Sequence, residues 1–263
     1  MLVTATCPSC GAPAPEGGRT CEFCGCVLVA DSIGLGLLTI EAGRVDAVFK
    51  QAQEKVGRHP DDPEAHCRLG ICHIKRGQFE DAIRQFAKAT ELVPQAPGPL
   101  YLHAFAVALG RSWLSPLVVQ LSEQALRLNP QMKEAQSLLH IYKGRERLDA
   151  AERSSDYEAA LQEFRKALAL KVTEQMPHIF FFSGQAFDGA DDVEDAIKMY
   201  QEACQLGLSN IQILIRLGVL FARTEQFQLA VWELEKAEEL DPTNDSVQQL
   251  LDATRAKLGW THV

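Results

Sequence analysis

The sequence predicts an all-α fold, in which a stack of helix pairs follows a small cysteine-rich module. Three observations support this prediction. Residues 63–96 are typical of a helix–turn–helix unit, a small residue recurs at an interval near 34 residues, and five of the eight cysteines fall within the first 26 residues. A single helix pair cannot cover its own apolar faces, so several pairs are expected to stack side by side.

Residues 63–96 define the repeating unit. Gly70 and Ala82 are small where two helices must approach closely, and Phe86 is large where the space between them must be filled. Pro94 ends the second helix because proline cannot continue it. We therefore expect two antiparallel helices joined by a short turn.

The small residue of the second helix recurs along the chain. The equivalent residues are Ala82, Ala160, Ala196 and Ala230. The last two intervals are 36 and 34 residues, and the first is 78 residues, or two periods of 34 plus ten extra residues. Two degenerate repeats are therefore expected, at about 97–130 and 131–174.

The pattern resembles that of the tetratricopeptide repeat family over roughly residues 63–244. The resemblance implies a right-handed α-solenoid of about five helix pairs plus capping helices, within a domain spanning 44–260. Its clear repeats would be residues 63–96, 177–210 and 211–244. A last helix beginning at Asp245 is expected to cap one end. The helix beginning at Arg44 would cap the other end, or it would be the second helix of a repeat that lost its first.

The third repeat is long. Gln131–Ser154 contains no helix breaker except Gly144, and eight of the ten extra residues lie there. Eight residues are close to two turns at about 3.6 residues per turn, so the first helix is expected to overshoot its neighbours. Its far end would be a charged, solvated tip. A partner could recognise this tip, or the extra length could be a tolerated insertion.

Residues 1–30 contain two matched pairs of cysteines. Ten residues separate Cys7 and Cys10 from Cys21 and Cys24. Two thiolates three positions apart on a tight turn can reach one ion, and two such turns supply the four ligands of tetrahedral Zn²⁺. The segment resembles a short zinc ribbon. We predict a structural Zn²⁺ bound by these four cysteines, with a disulfide module and a redox-active pair as the alternatives.

Residues 31–43 join this module to the repeats. Their apolar side chains are too numerous for a loose tether, so they are expected to pack on the first helices.

Bulk composition restricts the possible partners. The net charge is −9, so a phosphate-binding protein is not expected. The N-terminus shows no secretory signal, and no apolar run approaches the roughly 20 residues of a membrane helix. Clustered cysteines favour metal binding in a reducing compartment, so we expect a cytoplasmic protein without membrane partners.

No pattern of catalytic residues is recognisable. The sequence contains no nucleophile elbow, phosphate loop or paired catalytic carboxylate, and no stretch outside the module and the repeats remains for a catalytic domain. His66 and His73 lie about 10 Å apart along a helix, so they cannot form a second metal site with Cys67 and Cys72. We therefore expect a non-enzymatic protein.

The resemblance also implies where a partner would dock. In the family, the first helix of each pair lines the concave face, where peptides or helices bind. By helical phase, the groove residues would be Cys67, Ile71, Ile74 and Lys75 in the first repeat, His178, Phe181, Gln185 and Asp188 in the fourth, and Ile215, Val219, Ala222 and Arg223 in the fifth. Cys67 and Ile71 replace the lysine and asparagine of a carboxylate clamp, so a partner helix or an apolar peptide is favoured. The alternative is that several of these residues, Phe181 above all, only pack between helices.

These observations favour a protein–protein interaction scaffold with a structural zinc ribbon. One alternative is binding of nucleic acid or transcription machinery through the ribbon, although Arg19 is the only basic residue among residues 1–30. Another is a thiol-based redox sensor that releases zinc on oxidation.

Overall fold

A computed structural model describes residues 45–259, and every regular element in this range is an α-helix. The chain divides into two compact units, with the boundary between Tyr142 and Lys143. The twelve helices are α1 (Val45–Arg58), α2 (Pro63–Lys75), α3 (Phe79–Leu92), α4 (Pro97–Gly110), α5 (Pro116–Leu128), α6 (Lys133–Asp149), α7 (Ser154–Ala169), α8 (Met176–Gly189), α9 (Val193–Gln205), α10 (Ile211–Arg223), α11 (Phe227–Leu240) and α12 (Asp245–Lys257). The predicted all-helical fold is confirmed for this range, whereas the predicted zinc ribbon (1–30) and linker (31–43) lie outside it.

Several helices begin at a side chain that accepts hydrogen bonds from the first turn. The Asp62 carboxylate accepts from the backbone N–H groups of Glu64 (2.9 Å) and Ala65 (3.2 Å) at the start of α2. Asn210 and Asn244 accept in the same way at the starts of α10 and α12. These bonds satisfy donors that have no partner within the helix, so they fix where each helix starts.

The first unit is built from helices that pack in chain order. Helices α1 to α5 each contact the next one, and α4 also contacts α2. Helix α4 is apolar on nearly every side and is largely buried, as expected for a helix with neighbours on several faces. Its side chains form the centre of the core, together with Phe86 from α3 and Leu138 from α6.

The second unit follows the same order from α7 to α12. Each helix contacts the next, and α10 also contacts α12. Leu214 and Leu234 pack with Val247 and Leu251, so α12 covers the apolar face that α10 and α11 leave open. This is the role predicted for the last helix.

Four repeats share one contact between their two helices. A glycine of the first helix faces a large side chain of the second, and a Cβ atom added to the glycine would lie less than 3.0 Å from that side chain. The pairs are Gly70 with Phe86, Gly144 with Phe164, Gly184 with Tyr200, and Gly218 with Leu234. The absence of a Cβ therefore sets how closely the paired helices approach.

Helix α6 overshoots its neighbours, but by less than predicted. It contains 17 residues, compared with 13 in α2 and 14 in α8. The excess is about one turn, not two. Gly144 does not interrupt the helix, because it is the packing glycine of this repeat. The rest of the extra length lies in the connection and in α7, which contains 16 residues.

The predicted charged tip of α6 is mostly exposed, as expected, and it also contacts α7. The Arg147 guanidinium donates to the Glu163 carboxylate across 3.1 Å, and the Glu163 side chain is only 5% exposed. Lys166 donates to the same carboxylate across 2.8 Å. The end of α6 is therefore fastened to α7, because a buried carboxylate needs cationic partners.

Candidate partner-binding cleft

The predicted groove residues of the first repeat differ in their exposure. Cys67 and Ile71 have no exposed surface and belong to the core of the first unit. Their assignment to an open groove is therefore wrong. The physical reason is that α4 packs against α2 as well as α3. Ile74 is half-buried and Lys75 is exposed, so their role in partner binding stays a prediction.

Burial also determines the chemistry of Cys67. Burial, together with the nearby carboxylates of Glu64 and Asp62, raises the pKa of its thiol to about 12. The thiol is therefore neutral at physiological pH. Since the thiolate is the reactive form, Cys67 is an inert core residue.

The predicted groove residues of the second unit also differ in their exposure. Phe181 is only 8% exposed, and its ring packs against those of Phe182 (5.3 Å) and Tyr200 (6.2 Å). The alternative that it packs between helices is therefore correct. Ile215 and Val219 are half-buried, and Arg223 is exposed. These three residues keep surface that a partner could contact.

A cleft of about 370 Å³ opens in the second unit. Helices α6 to α10 each contribute to it. Its polar lining consists of Arg145, Asp149, Tyr157, Gln185, Asp188, Tyr200 and Arg216. The predicted groove residues Gln185 and Asp188 are therefore brought together with two arginines and a tyrosine that sequence reasoning did not select.

Arg145 is held in the cleft by a ring and an amide. Its guanidinium carbon lies 4.8 Å from the centroid of the Phe182 ring, and its Nη1 donates to Gln185 Oε1 across 3.0 Å. Burial lowers the pKa of Arg145, whereas the nearby Asp149 raises it. No carboxylate within residues 45–259 lies within 4.0 Å of this guanidinium, so its charge has only neutral partners at contact distance.

Asp188 lies between two other arginines. Its carboxylate is 3.6 Å from Nη1 of Arg216 and 3.9 Å from Nη1 of Arg223, and its side chain is 16% exposed. Arg223 also pairs with Asp191. This network connects the C-terminal end of α8 with α10. The predicted groove residue Arg223 therefore has intramolecular partners of its own.

The hydroxyl of Tyr200 is a further polar group beside the cleft. The side chain is fully buried, its ring packs on Gly184, and its Oη has no hydrogen-bond partner in the described part of the chain. Burial raises the pKa of Tyr200, and Asp188 raises it further while Arg216 lowers it. The hydroxyl is therefore protonated at neutral pH and is a donor without an acceptor.

A signal in the sequence could have identified Arg145. Within three repeats, the residue after the packing glycine was assigned to the groove: Ile71 follows Gly70, Gln185 follows Gly184, and Val219 follows Gly218. Arg145 follows Gly144 in the same way. No groove residue was assigned in the third repeat, where Gly144 lies 20 residues before Phe164 and the other repeats have a spacing of 16.

Metal ligands and membrane spans were also sought in the structure. Among residues 45–259, no three His, Cys, Asp or Glu side chains are grouped closely enough to hold a metal ion. The predicted ligands Cys7, Cys10, Cys21 and Cys24 lie outside this range. None of the helices α1 to α12 combines the length and the apolar character needed to cross a membrane.

Comparison with known proteins places the repeats in the context of relatives. Over 229 residues, the chain is 24% identical to the protein CTR9 homolog of Arabidopsis thaliana, which covers 84% of this chain but only 20% of the relative. The structure is similar to a chain of the Cut9–Hcn1 hetero-tetramer of the APC/C (TM-score 0.55, 16% identity, 81% of this chain and 47% of that one). It is also similar to a tetratricopeptide repeat protein from Parabacteroides merdae (TM-score 0.53, 11% identity, 81% and 78%).

The chain thus spans about a fifth of the curated relative and about half of the Cut9–Hcn1 chain that it matches. At these identities, the structural similarity establishes the fold alone. Family models described as the tetratricopeptide repeat match residues 63–96 and residues 145–211. These ranges contain α2 and α3 of the first unit, and α7, α8 and α9 of the second. Residues 63–96 and 145–211 of this chain are therefore tetratricopeptide repeats.

Proposed function

We propose that this chain is a non-enzymatic scaffold that binds a partner protein through the first helices of its repeats. Tetratricopeptide repeats generally serve in protein–protein interaction, and proteins of this fold are typically not enzymes. The observation that carries the proposal is the cleft of about 370 Å³ in the second unit, whose lining comes from successive repeats. A cleft of this size lies within the usual range of ligand sites, about 300–1,000 Å³.

The proposed partner segment is a peptide or an amphipathic helix. Ile215 and Val219 are half-buried and lie one helical turn apart on α10, so they offer a short apolar strip. Ile74 and Lys75 of α2 offer a comparable surface in the first unit. Such strips accept apolar side chains at helical or alternating spacing.

Affinity capture with the full chain tests this proposal. Val219→Glu places a charge on the apolar strip, and we expect it to lower partner capture by roughly tenfold, which corresponds to about 1.4 kcal/mol. Leu240→Glu is the matched control, because Leu240 is 60% exposed on α11 and so lies on a different helix from the apolar strip. Both variants should retain the helicity of the wild type by circular dichroism. Equal capture by the two variants would contradict the binding surface.

We also propose that Cys7, Cys10, Cys21 and Cys24 bind one structural Zn²⁺. The proposal is supported by their spacing, which matches that of four-sulfur sites. Elemental analysis of the purified chain should give about one zinc per chain, and Cys7→Ser should lose it. Cys26→Ser is the control, because Cys26 is a neighbouring thiol outside the two pairs. Full retention of zinc by Cys7→Ser would contradict this ligand set.

A reducing, cytoplasmic environment is part of the same proposal. It is supported by Cys67, Cys72 and Cys204, which are free thiols in the structure. Nucleic-acid binding and redox sensing through the ribbon stay alternative proposals. Salt-dependent retention on nucleic acid would favour the former, and zinc release by peroxide would favour the latter.

A further inference from the structure

The arginines of the second unit fall into two groups. Most have a carboxylate partner at close range: Arg147 lies 3.1 Å from Glu163, Arg165 lies 2.6 Å from Glu158, and Arg255 lies 2.9 Å from Glu235. Arg145 is the exception, because it has no carboxylate within 4.0 Å in the described range. Arg216 has one ion pair, at 3.6 Å from Asp188, and its side chain stays 60% exposed. Both of these arginines line the same cleft.

Arg145 gives the stronger evidence for a missing anion. Its guanidinium is half-buried, stacked over Phe182, and hydrogen-bonded to the neutral oxygen of Gln185. A partly desolvated cation is normally compensated by an anion, since hydrogen bonds to a neutral amide leave its charge in place. Stacking and the amide bond fix the guanidinium plane, so its remaining N–H groups are pre-oriented for a planar acceptor.

The second arginine of the cleft is consistent with the same acceptor. The side chain of Arg216 is 60% exposed and retains free N–H groups. The Tyr200 hydroxyl is fully buried, so it is not available to a ligand in the cleft. Arg145 and Arg216 thus supply the donors. Of the carboxylates that line the cleft, Asp188 is already paired with Arg216 and Arg223. None lies within 4.0 Å of Arg145 in the described range. A ligand carrying a carboxylate would supply what is missing.

We propose that the cleft binds the acidic side chain of an aspartate or glutamate within a partner peptide, and that Arg145 and Arg216 contact its carboxylate. This inference rests on the proposed function. An internal side chain fits better than a chain terminus because Asp149 and Asp188 also line the cleft. These acceptors suit the backbone N–H groups of a segment that continues past the acidic residue. Because the chain carries a net charge of −9, most of its surface repels an acidic peptide, so binding of such a peptide would be specific to the cleft.

Fluorescence anisotropy with the full chain tests the inference. The probe is a short fluorescein-labelled peptide of alternating alanine and glutamate, with an amidated C-terminus. We expect it to bind roughly tenfold more tightly than the same peptide with glutamine in place of glutamate. Binding should weaken with added salt, because the contact is between charged groups.

Three variants assign the binding to the cleft. Arg145→Gln and Arg216→Gln should each weaken binding of the glutamate peptide by roughly tenfold, whereas Arg165→Gln, which removes the same charge from the exposed face of α7, should not. Arg216 is the more exposed of the two cleft arginines, so its variant tests the site even if Arg145→Gln disturbs the fold. Equal binding by Arg216→Gln and Arg165→Gln would overturn the inference.

Further outcomes separate the inference from the proposed function. Absence of binding at peptide concentrations up to about 1 mM would overturn the inference. It would also be overturned if a glutamine peptide with a free C-terminal carboxylate bound while the amidated glutamate peptide did not. If the inference fails while Val219→Glu still lowers partner capture, the scaffold function stands without the acidic ligand. If neither result is obtained, both proposals fail.

Discussion

Gly57 and Gly144 both lie inside helices, but their surroundings differ. A Cβ added to Gly57 would meet nothing within 4 Å, whereas one added to Gly144 would collide with the Phe164 ring. Gly57→Ala should therefore stabilise the fold by about 0.5–1 kcal/mol, because alanine loses less backbone entropy in a helix. Gly144→Ala should destabilise it by about 1–3 kcal/mol, because the ring must move. Urea unfolding followed by circular dichroism measures both values, and a stabilising Gly144→Ala would contradict the close contact.

Single residues in the turns between paired helices allow a second test of how backbone conformation affects stability. Gly77, Asp191 and Glu225 occupy equivalent turns between paired helices, and all have positive φ (71°, 65° and 60°). Glycine adopts this conformation at little cost, whereas glutamate is strained in it. Glu225 is also exposed. Glu225→Gly should therefore raise the free energy of unfolding by about 0.5–1 kcal/mol. Gly77→Ala is the reciprocal variant and should lower it by at least a similar amount.

The start of α2 depends on a charged cap. Burial alone would raise the pKa of Asp62, but the bonds from Lys55 and from the backbone of Ala65 and Glu64 lower it below its ordinary value. The resulting stabilisation is present above the unfolded-state pKa of about 3.9 and is lost as the pH falls through the lower folded-state pKa. Lys55 lies 2.7 Å from the carboxylate, at a partly exposed position.

Asp62→Asn separates the charge from the hydrogen bonds. Asparagine caps a helix as well as aspartate does, so the variant removes mainly the charge. At pH 7 we expect a loss of about 0.5–1 kcal/mol, since the pair is screened by solvent. The difference should shrink as the pH falls below the unfolded-state pKa of about 3.9, and it should vanish once the pH has fallen through the lower folded-state pKa of Asp62. Thermal unfolding at pH 7 and along a series of acidic pH values measures the change. A difference that persists in acid would show that the hydrogen bonds, not the charge, are what the variant loses.

At the scale of elements, regular repeats could be predicted and irregular ones could not. In the regular repeats, the packing glycine lies 16 residues before the large side chain that it faces, and the small residue of the second helix recurs at an interval near 34 residues, which identified those helix pairs. The third repeat keeps the contact but changes the spacing to 20, because the extra residues lengthen both helices and their connection. The irregular spacing left the third repeat without assigned groove residues, although its packing contact is preserved. Arg145 was therefore not selected.

The candidate site was less predictable than the fold. Helical phase selected Gln185 and Asp188, and both line the cleft, whereas their role in partner binding stays a prediction. It could not show that Cys67 and Ile71 are covered, because their burial depends on the contact between α2 and α4. It also could not identify Tyr200, which belongs to a second helix and reaches the cleft past Gly184. Burial and the lining of a cleft arise from several helices at once, and one helix's periodicity does not encode them.

At the scale of the whole molecule, repeats that contact mainly their neighbours are expected to transmit a local loss of stability only partially. Trp113 packs in the core of the first unit, and Trp232 lies in the second. Phe164→Ala removes a fully buried ring of the second unit and should cost about 3–5 kcal/mol. In chains that retain a single tryptophan, the urea midpoint reported by Trp232 should fall by about 1–2 M, and the midpoint reported by Trp113 should fall by less. Equal shifts would show that the two units unfold as one cooperative body, with interactions between units stronger than a nearest-neighbour description allows.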